Sequence, residues 1–205
     1  MPESRTEPHL LAFSASLAEA AWLVCLAALP LVVNLFADGT FEPPKVRLLQ
    51  SVSWLLAGAL LLTLGLRGRQ LAAAARHNPI ALAALAVGLS ACVSTALSLA
   101  PAASLWGSFE RGQGLSTTLC YLLVFAAVGT GVRTIEQAWR LIGAIVVAGT
   151  LVAIVGLGQQ LGVDPLQMAV DPTRRAPSTL GNPIFMAAYL GFGILLAIAT
   201  AAAIG

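Results

Sequence analysis

Residues 141–161 read LIGAIVVAGTLVAIVGLGQQL, an apolar run that contains no charged side chain. A helix of about this length crosses the roughly 30 Å of hydrocarbon in a bilayer. Because hydrocarbon offers no hydrogen-bond partners, a spanning backbone must satisfy its own polar groups, which a helix does within one segment. Apolar and polar residues do not alternate along the run, so a β-barrel strand is disfavoured. The stretch predicts a transmembrane helix.

Similar apolar runs lie on both sides of this stretch, and the composition agrees with them. The 205 residues are 58% hydrophobic and 10% charged, with a mean hydropathy of +0.87. Soluble domains are about 45–50% apolar and about 25% charged. We therefore predict an all-α fold, a polytopic transmembrane helical bundle that forms one domain with about six membrane-spanning helices. The predicted spans are residues 17–37, 48–66, 79–100, 115–132, 141–161 and 183–205.

The sequence also predicts the character of the two ends of the chain. Residues 1–16 are mixed in polarity and predict a short polar tail rather than a signal peptide. Pro30 lies inside the first predicted span, where it should kink the helix. Residues 201–205 read AAAIG and end in mid-span, with no flanking charge or aromatic anchor. We expect the chain to be an N-terminal fragment of a larger bundle.

Basic residues predict the orientation of the spans. Residues 67–77 contain Arg67, Arg69 and Arg76 but no acid. Short loops that are rich in Lys and Arg stay in the cytoplasm, which places the N-terminus there too. Lys45, Arg111 and the Arg174–Arg175 pair then lie on the outer side.

Charge and cysteine usage exclude some classes of partner. The formal net charge of +2 is too small to predict nucleic-acid binding. Cys25, Cys92 and Cys120 all lie inside apolar spans, without a CxxC pair or a neighbouring His. They are interpreted as small core residues rather than disulfides or metal ligands. We predict no metal site and no cofactor.

The cations on the outer side are unexpected under the positive-inside rule. An anionic group that approaches from the outer leaflet would explain them, since guanidinium pairs bidentately with phosphate oxygens. Other readings stay open. Arg174–Arg175 is either such a site or a surface pair that balances Asp164 and Asp171, and Glu110–Arg111 either orders its own turn or contacts substrate. Asn182–Pro183 is most simply a helix start, with Asn182 as the cap and Pro183 in the first turn.

Three segments occur in a fixed order on the predicted outer loops: FEPPKV at 41–46, GSFERGQGL at 107–115 and RAPSTLGNPIFMAAYL at 175–190. Together they resemble the N-terminal half of bacterial O-antigen ligase and O-antigen polymerase-like membrane proteins. Arg175 matches the arginine before the S-T-L-G-N-P turn of that family, Arg111 matches the G-S-x-E-R-x-Q-G loop, and Lys45 matches the P-K pair. Ile184 departs from the family, whose members commonly have a polar residue after that proline.

The resemblance implies a metal-independent glycosyltransferase at the outer face of the bacterial inner membrane. It would take a glycan from undecaprenyl diphosphate and pass it to lipid A core, another glycan or a protein. The implied substrate-binding residues hold the diphosphate and stabilise its developing charge; they are Lys45, Arg111, Arg174, Arg175 and Asn182. The residue that activates the acceptor is expected beyond Gly205. The other implied partners are membrane lipids, and nucleic acid is not among them.

Two other classes of function remain as alternatives. A transporter or flippase for a lipid-linked or anionic substrate is disfavoured because mid-span charges, which such proteins usually carry, are nearly absent. A structural membrane subunit would give the outer arginines no function.

Overall fold

The computed structural model describes residues 6–36, 40–108, 111–164, 166 and 175–204. These residues form helices and contain no strand, which confirms the predicted all-α fold class. A 3-10 turn, Ser178–Leu180, precedes the last helix. The α helices of the described residues are α1 (Thr6–Ala28), α2 (Glu42–Arg76), α3 (Pro79–Ala96), α4 (Pro101–Trp106), α5 (Leu115–Gly131), α6 (Ile135–Gln160) and α7 (Pro183–Ile204).

Five helices in the described part of the chain are long and apolar enough to cross a membrane. Their apolar segments are Pro8–Ala28, Glu42–Ala73, Pro79–Ala96, Ile135–Gln160 and Pro183–Ala203. Helix α5 is also apolar but shorter, with 17 residues. Helices α3 and α7 have few fully buried residues among those described, and much of their apolar surface stays exposed. Such apolar surfaces are compatible with lipid, because the hydrocarbon of a bilayer forms no hydrogen bonds with side chains. Together these helices correspond to the bundle of about six spans that the sequence predicts.

The first predicted span is wrong at both ends. It covered residues 17–37 with a kink at Pro30, whereas the helix covers Thr6–Ala28. The chain leaves the helix before Pro30, whose missing N–H and bulky ring disfavour a helix interior. The N–H groups of Leu31 and Val32 both return to the Ala28 carbonyl at 2.9 Å and close the helix. Residues 6–16 are therefore helical rather than a tail.

Residues 67–77, predicted as a loop, and residues 133–140, which separate the predicted spans 115–132 and 141–161, are also largely helical. Helix α2 continues to Arg76, with non-helical angles only at Arg67 (φ −133°, ψ 18°) among its described residues. Helix α6 begins at Ile135, where Thr134 and Gln137 form a capping box with bonds of 3.2 and 3.3 Å. Charged residues mark where a chain meets the membrane surface, but a helix needs a cap or a breaker to end.

The described residues belong to two compact units. The first comprises Met1–Trp22 and Val46–Arg133, and the second comprises Leu23–Lys45 and Thr134–Gly205. In the first unit, α3 packs against α4 and α5. In the second unit, α6 packs against α7, and both helices contact the 3-10 turn. The single transmembrane domain expected from the sequence stays a prediction.

The cysteines differ in their environment. Cys25 is buried, as predicted for a core residue, and Cys120 is partly exposed. Cys92 is exposed, so the core prediction is wrong for this residue. Its helix, α3, fully buries only Gly88 among the described residues, and most of the surface of α3 points away from its neighbours.

Candidate functional site

The 3-10 turn before α7 buries both of its hydroxyl side chains. The Ser178 hydroxyl donates to the Val152 carbonyl in α6 at 2.6 Å, and the Thr179 hydroxyl donates to the Pro30 carbonyl at 2.7 Å. Ser178 is 0% exposed and Thr179 is 6% exposed. A buried hydroxyl needs a partner, and here each partner belongs to a segment far away in the sequence. The turn is thereby attached to both α6 and the segment after α1, all within the second unit.

Gln159, near the end of α6, links the chain on both sides of the segment that carries Arg175. It is 0% exposed. Its Oε1 accepts from the Ser178 N–H at 2.9 Å, and its Nε2 donates to Asp164 Oδ1 at 3.0 Å. The same carboxylate oxygen accepts from the Leu166 N–H at 3.1 Å. The predicted site does not include Gln159, although this residue is a polar side chain at the end of an apolar run, just before that site.

The backbone of the turn is in the left-handed region at two positions. Ser178 has φ +52° and is the only non-glycine residue with positive φ in the described part of the chain. That region costs a non-glycine residue about 1–2 kcal/mol, which the buried bonds to its N–H and hydroxyl offset. Gly181 has φ +74°, and a Cβ there would overlap the Phe41 ring. Glycine therefore matches the geometry at position 181, whereas Ser178 adopts it because its buried hydrogen bonds offset the cost.

Lys45 reaches the same turn from the start of α2. Its Nζ donates to the Val32 carbonyl at 2.6 Å and to the Thr179 carbonyl at 2.7 Å. An ammonium group has three donors, so two of them hold the protein's own backbone and one remains. Lys45 was predicted to bind substrate. The structure adds a supporting role, because the ammonium joins the segment after α1, the start of α2 and the turn before α7.

Arg175 and Asn182 flank the turn on its two sides. Arg175 is exposed, and the structure gives it no hydrogen-bond partner among the described residues. Arg174 lies outside the described residues. Asn182 Oδ1 accepts from the Ile184 N–H at 2.9 Å, so it caps α7 with Pro183 as the first helical residue, which confirms the predicted helix start. Substrate contact by Asn182 stays a prediction.

Arg111 belongs to the other unit and lies in a turn of a different kind. It is exposed, and the turn around it closes on itself through the Gly112 N–H, which donates to the Ser108 carbonyl at 2.7 Å. The Thr117 hydroxyl donates to the Gly112 carbonyl at 2.7 Å. Glu110 lies outside the described residues, so both readings of the Glu110–Arg111 pair stay open. The second unit thus holds Lys45, Arg175 and Asn182, and the first unit holds Arg111.

The apolar helices identify the chain as a multi-pass membrane protein. The buried polar turn before α7 has hydrogen bonds to four positions that are distant in the sequence, which makes it the candidate site. No protein-family model, curated protein or solved structure matches the chain. The resemblance to O-antigen ligases therefore rests on the three motifs in the sequence.

Proposed function

We propose that the protein is a membrane glycosyltransferase of the O-antigen ligase or polymerase type. It transfers a glycan from an undecaprenyl-diphosphate-linked donor to lipid A core, another glycan or a protein. In this proposal it lies in the bacterial inner membrane, with a cytoplasmic N-terminus and a site at the outer face. The observation that carries the proposal is the exposed Arg175 beside a turn that four hydrogen bonds hold in place.

An arginine on an anchored segment suits a diphosphate leaving group. Guanidinium pairs with phosphate oxygens through two parallel hydrogen bonds, which require a defined orientation. Negative charge grows on the diphosphate as the glycosidic bond breaks, and a donor already in place stabilises it without reorganisation. Anchoring Arg175 through Ser178 and Thr179 supports this role, because less conformational freedom is lost when the ligand binds.

Lys45, which contacts the backbone of the turn, supports the same proposal. Its ammonium contacts the Thr179 carbonyl and brings a positive charge to the segment that carries Arg175. Interactions between charges are stronger where the surroundings are partly apolar than in bulk water. We propose that Lys45 combines two tasks, holding the turn and raising the local positive potential for the anionic donor.

The test measures glycan transfer in membranes that contain the protein, with a synthetic undecaprenyl-diphosphate-linked glycan and an acceptor. A hydrogen bond to a charged group contributes about 1.5–3 kcal/mol, so Arg175→Ala should lower transfer by about 10-fold to 100-fold. Arg111→Ala should also impair transfer. Arg69→Ala removes an exposed cation of α2 on the predicted cytoplasmic side and serves as the matched control.

Membrane levels of all variants should be equal on immunoblots. Normal transfer in both Arg175→Ala and Arg111→Ala contradicts the diphosphate site. Movement of the lipid-linked glycan across the membrane without transfer favours the flippase alternative.

A further inference from the structure

The side-chain amide of Gln159 connects two points that flank the segment carrying Arg175. Its donor end binds Asp164, which follows α6, and its acceptor end binds the Ser178 N–H, which precedes α7. Gln159 and Asp164 are 5 positions apart, whereas Gln159 and Ser178 are 19 apart. One fully buried residue therefore joins the start and the end of the connection between these helices.

We propose that Gln159 and Asp164 form a clasp that sets the backbone of residues 175–178 and thereby positions the Arg175 guanidinium for an anionic lipid diphosphate. Gln159 is a positioning residue in this proposal, because it acts through Ser178 and does not itself touch the ligand. The ligand class rests on the proposed function. The clasp itself rests on the hydrogen bonds among Gln159, Asp164, Leu166 and Ser178.

Packing alone does not explain a glutamine at this position. Leucine or methionine would fill a similar volume at the end of the apolar helix α6 without the cost of burying an amide. The amide instead supplies a hydrogen-bond acceptor to the Ser178 N–H. Ser178 has φ +52°, and its buried N–H takes its acceptor from Gln159 rather than from the turn itself. Because one end of the amide must accept and the other must donate, the orientation of Gln159 is defined by both partners.

The amide of Gln159 and the carboxylate of Asp164 can be exchanged by mutation, so that the carboxylate stands at position 159 and the amide at position 164. Gln159→Glu keeps the acceptor for the Ser178 N–H but places a second carboxylate against Asp164, where two acceptors repel each other. Asp164→Asn alone retains an amide oxygen that accepts from Gln159 and Leu166. In the double variant, the amide nitrogen at position 164 donates to the carboxylate at position 159, which restores the link to Ser178 but removes the acceptor of the Leu166 N–H. Asp164→Asn should therefore suppress the effect of Gln159→Glu on the Ser178 N–H.

The experiment measures hydrogen exchange of the Ser178 amide in the purified protein in lipid nanodiscs. Gln159→Glu should speed this exchange by about 10-fold or more, because the opened clasp leaves the N–H to solvent. Gln159→Met should also speed it, but Asp164→Asn should rescue only the Glu variant. Gln160→Glu introduces the same charge at the exposed neighbouring position and is the matched control. Unchanged exchange in Gln159→Met, which lacks the acceptor for the Ser178 N–H, or fast exchange that persists in the double variant, overturns the clasp.

Binding of undecaprenyl diphosphate to the same nanodiscs tests the positioning role separately. Gln159→Glu should weaken binding as Arg175→Ala does, and the double variant should recover it. If exchange responds and is rescued while affinity stays constant, the clasp stands and its role in positioning Arg175 is overturned. If the unmodified protein does not bind undecaprenyl diphosphate, the proposed function fails and the positioning role fails with it, whereas the exchange data still decide the clasp.

Discussion

Two turns lead into α5 and α7, and they are held in different ways. In the first unit, the turn around Arg111 is closed by bonds from Gly112 to Ser108 and from Thr117 to Gly112, all within a few residues. In the second unit, the turn at Ser178–Leu180 is held by Pro30, Val152, Gln159 and Lys45. The first geometry follows from local sequence, whereas the second exists only when distant segments have assembled. A side chain next to the second turn, such as Arg175, therefore depends on the fold for its position.

The largest effect is expected from a substitution that breaks the locally closed turn. Gly107 has φ +82°, and a Cβ there would lie 2.6 Å from the Gly112 carbonyl carbon and 2.7 Å from that of Gln113. Gly107→Ala should lower the free energy of unfolding by more than about 3 kcal/mol, since the left-handed backbone and the overlap both add cost. Thermal unfolding in detergent measures it, with Gly129→Ala as the control because its Cβ would meet nothing within 4 Å. Equal stability of the two variants would contradict this account of the turn.

A somewhat smaller effect is expected at Lys45, which holds the second turn. Lys45→Met preserves the length of the side chain but removes the donor to the Val32 and Thr179 carbonyls. A buried acceptor that loses its partner costs about 1–3 kcal/mol, so we expect a loss of about 2–3 kcal/mol. Arg47→Met removes an exposed cation from the same end of α2 and should change stability by less than about 0.5 kcal/mol. Denaturation in mixed micelles compares the two, and a similar small loss in both would show that Lys45 does not hold the turn.

Gly181 provides a direct contrast with Gly107. Its φ is +74°, but a Cβ there would meet the side chain of Phe41 rather than the backbone. Gly181→Ala should therefore cost about 2 kcal/mol, and part of that cost should disappear in combination with Phe41→Ala. A double-mutant cycle on thermal stability measures the coupling. Strictly additive losses would mean that Phe41 does not restrict position 181.

The smallest effects are expected at the helix caps, where the two units should behave alike. Asn182 Oδ1 accepts from the Ile184 N–H in the second unit, and Asn78 Oδ1 accepts from the Ile80 and Ala81 N–H groups in the first. Asn182→Ala and Asn78→Ala should each cost about 1 kcal/mol, whereas the corresponding aspartates should retain stability. Glycan transfer should follow stability in the Asn182 variants if capping is its main role. Loss of transfer in a stable Asn182→Asp variant would instead indicate contact with the substrate.

The limits of prediction from sequence are clearest at the helix ends. Apolar runs predicted about six spans, and five helices of the described residues are long and apolar enough to cross a membrane, because burial in hydrocarbon depends on the composition and length of each segment. The ends of α2 and α6 were missed because charged residues mark the membrane surface without stopping a helix. Pro30 was assigned to the interior of a span although the helix ends at Ala28. The choice between a kink and a stop depends on whether neighbouring groups satisfy the freed carbonyls, which sequence alone does not reveal.

The sequence by itself determined the all-α membrane class, because long apolar runs indicate membrane helices whatever their tertiary contacts. It also determined the capping role of Asn182, because a cap binds N–H groups only two or three residues away. Only the tertiary structure decided the role of Gln159 and the second role of Lys45. Lys45 binds carbonyls 13 and 134 positions away, and Gln159 binds an N–H 19 positions away. A buried polar group must find partners wherever the fold places them, so its partners are set by packing rather than by the neighbouring sequence.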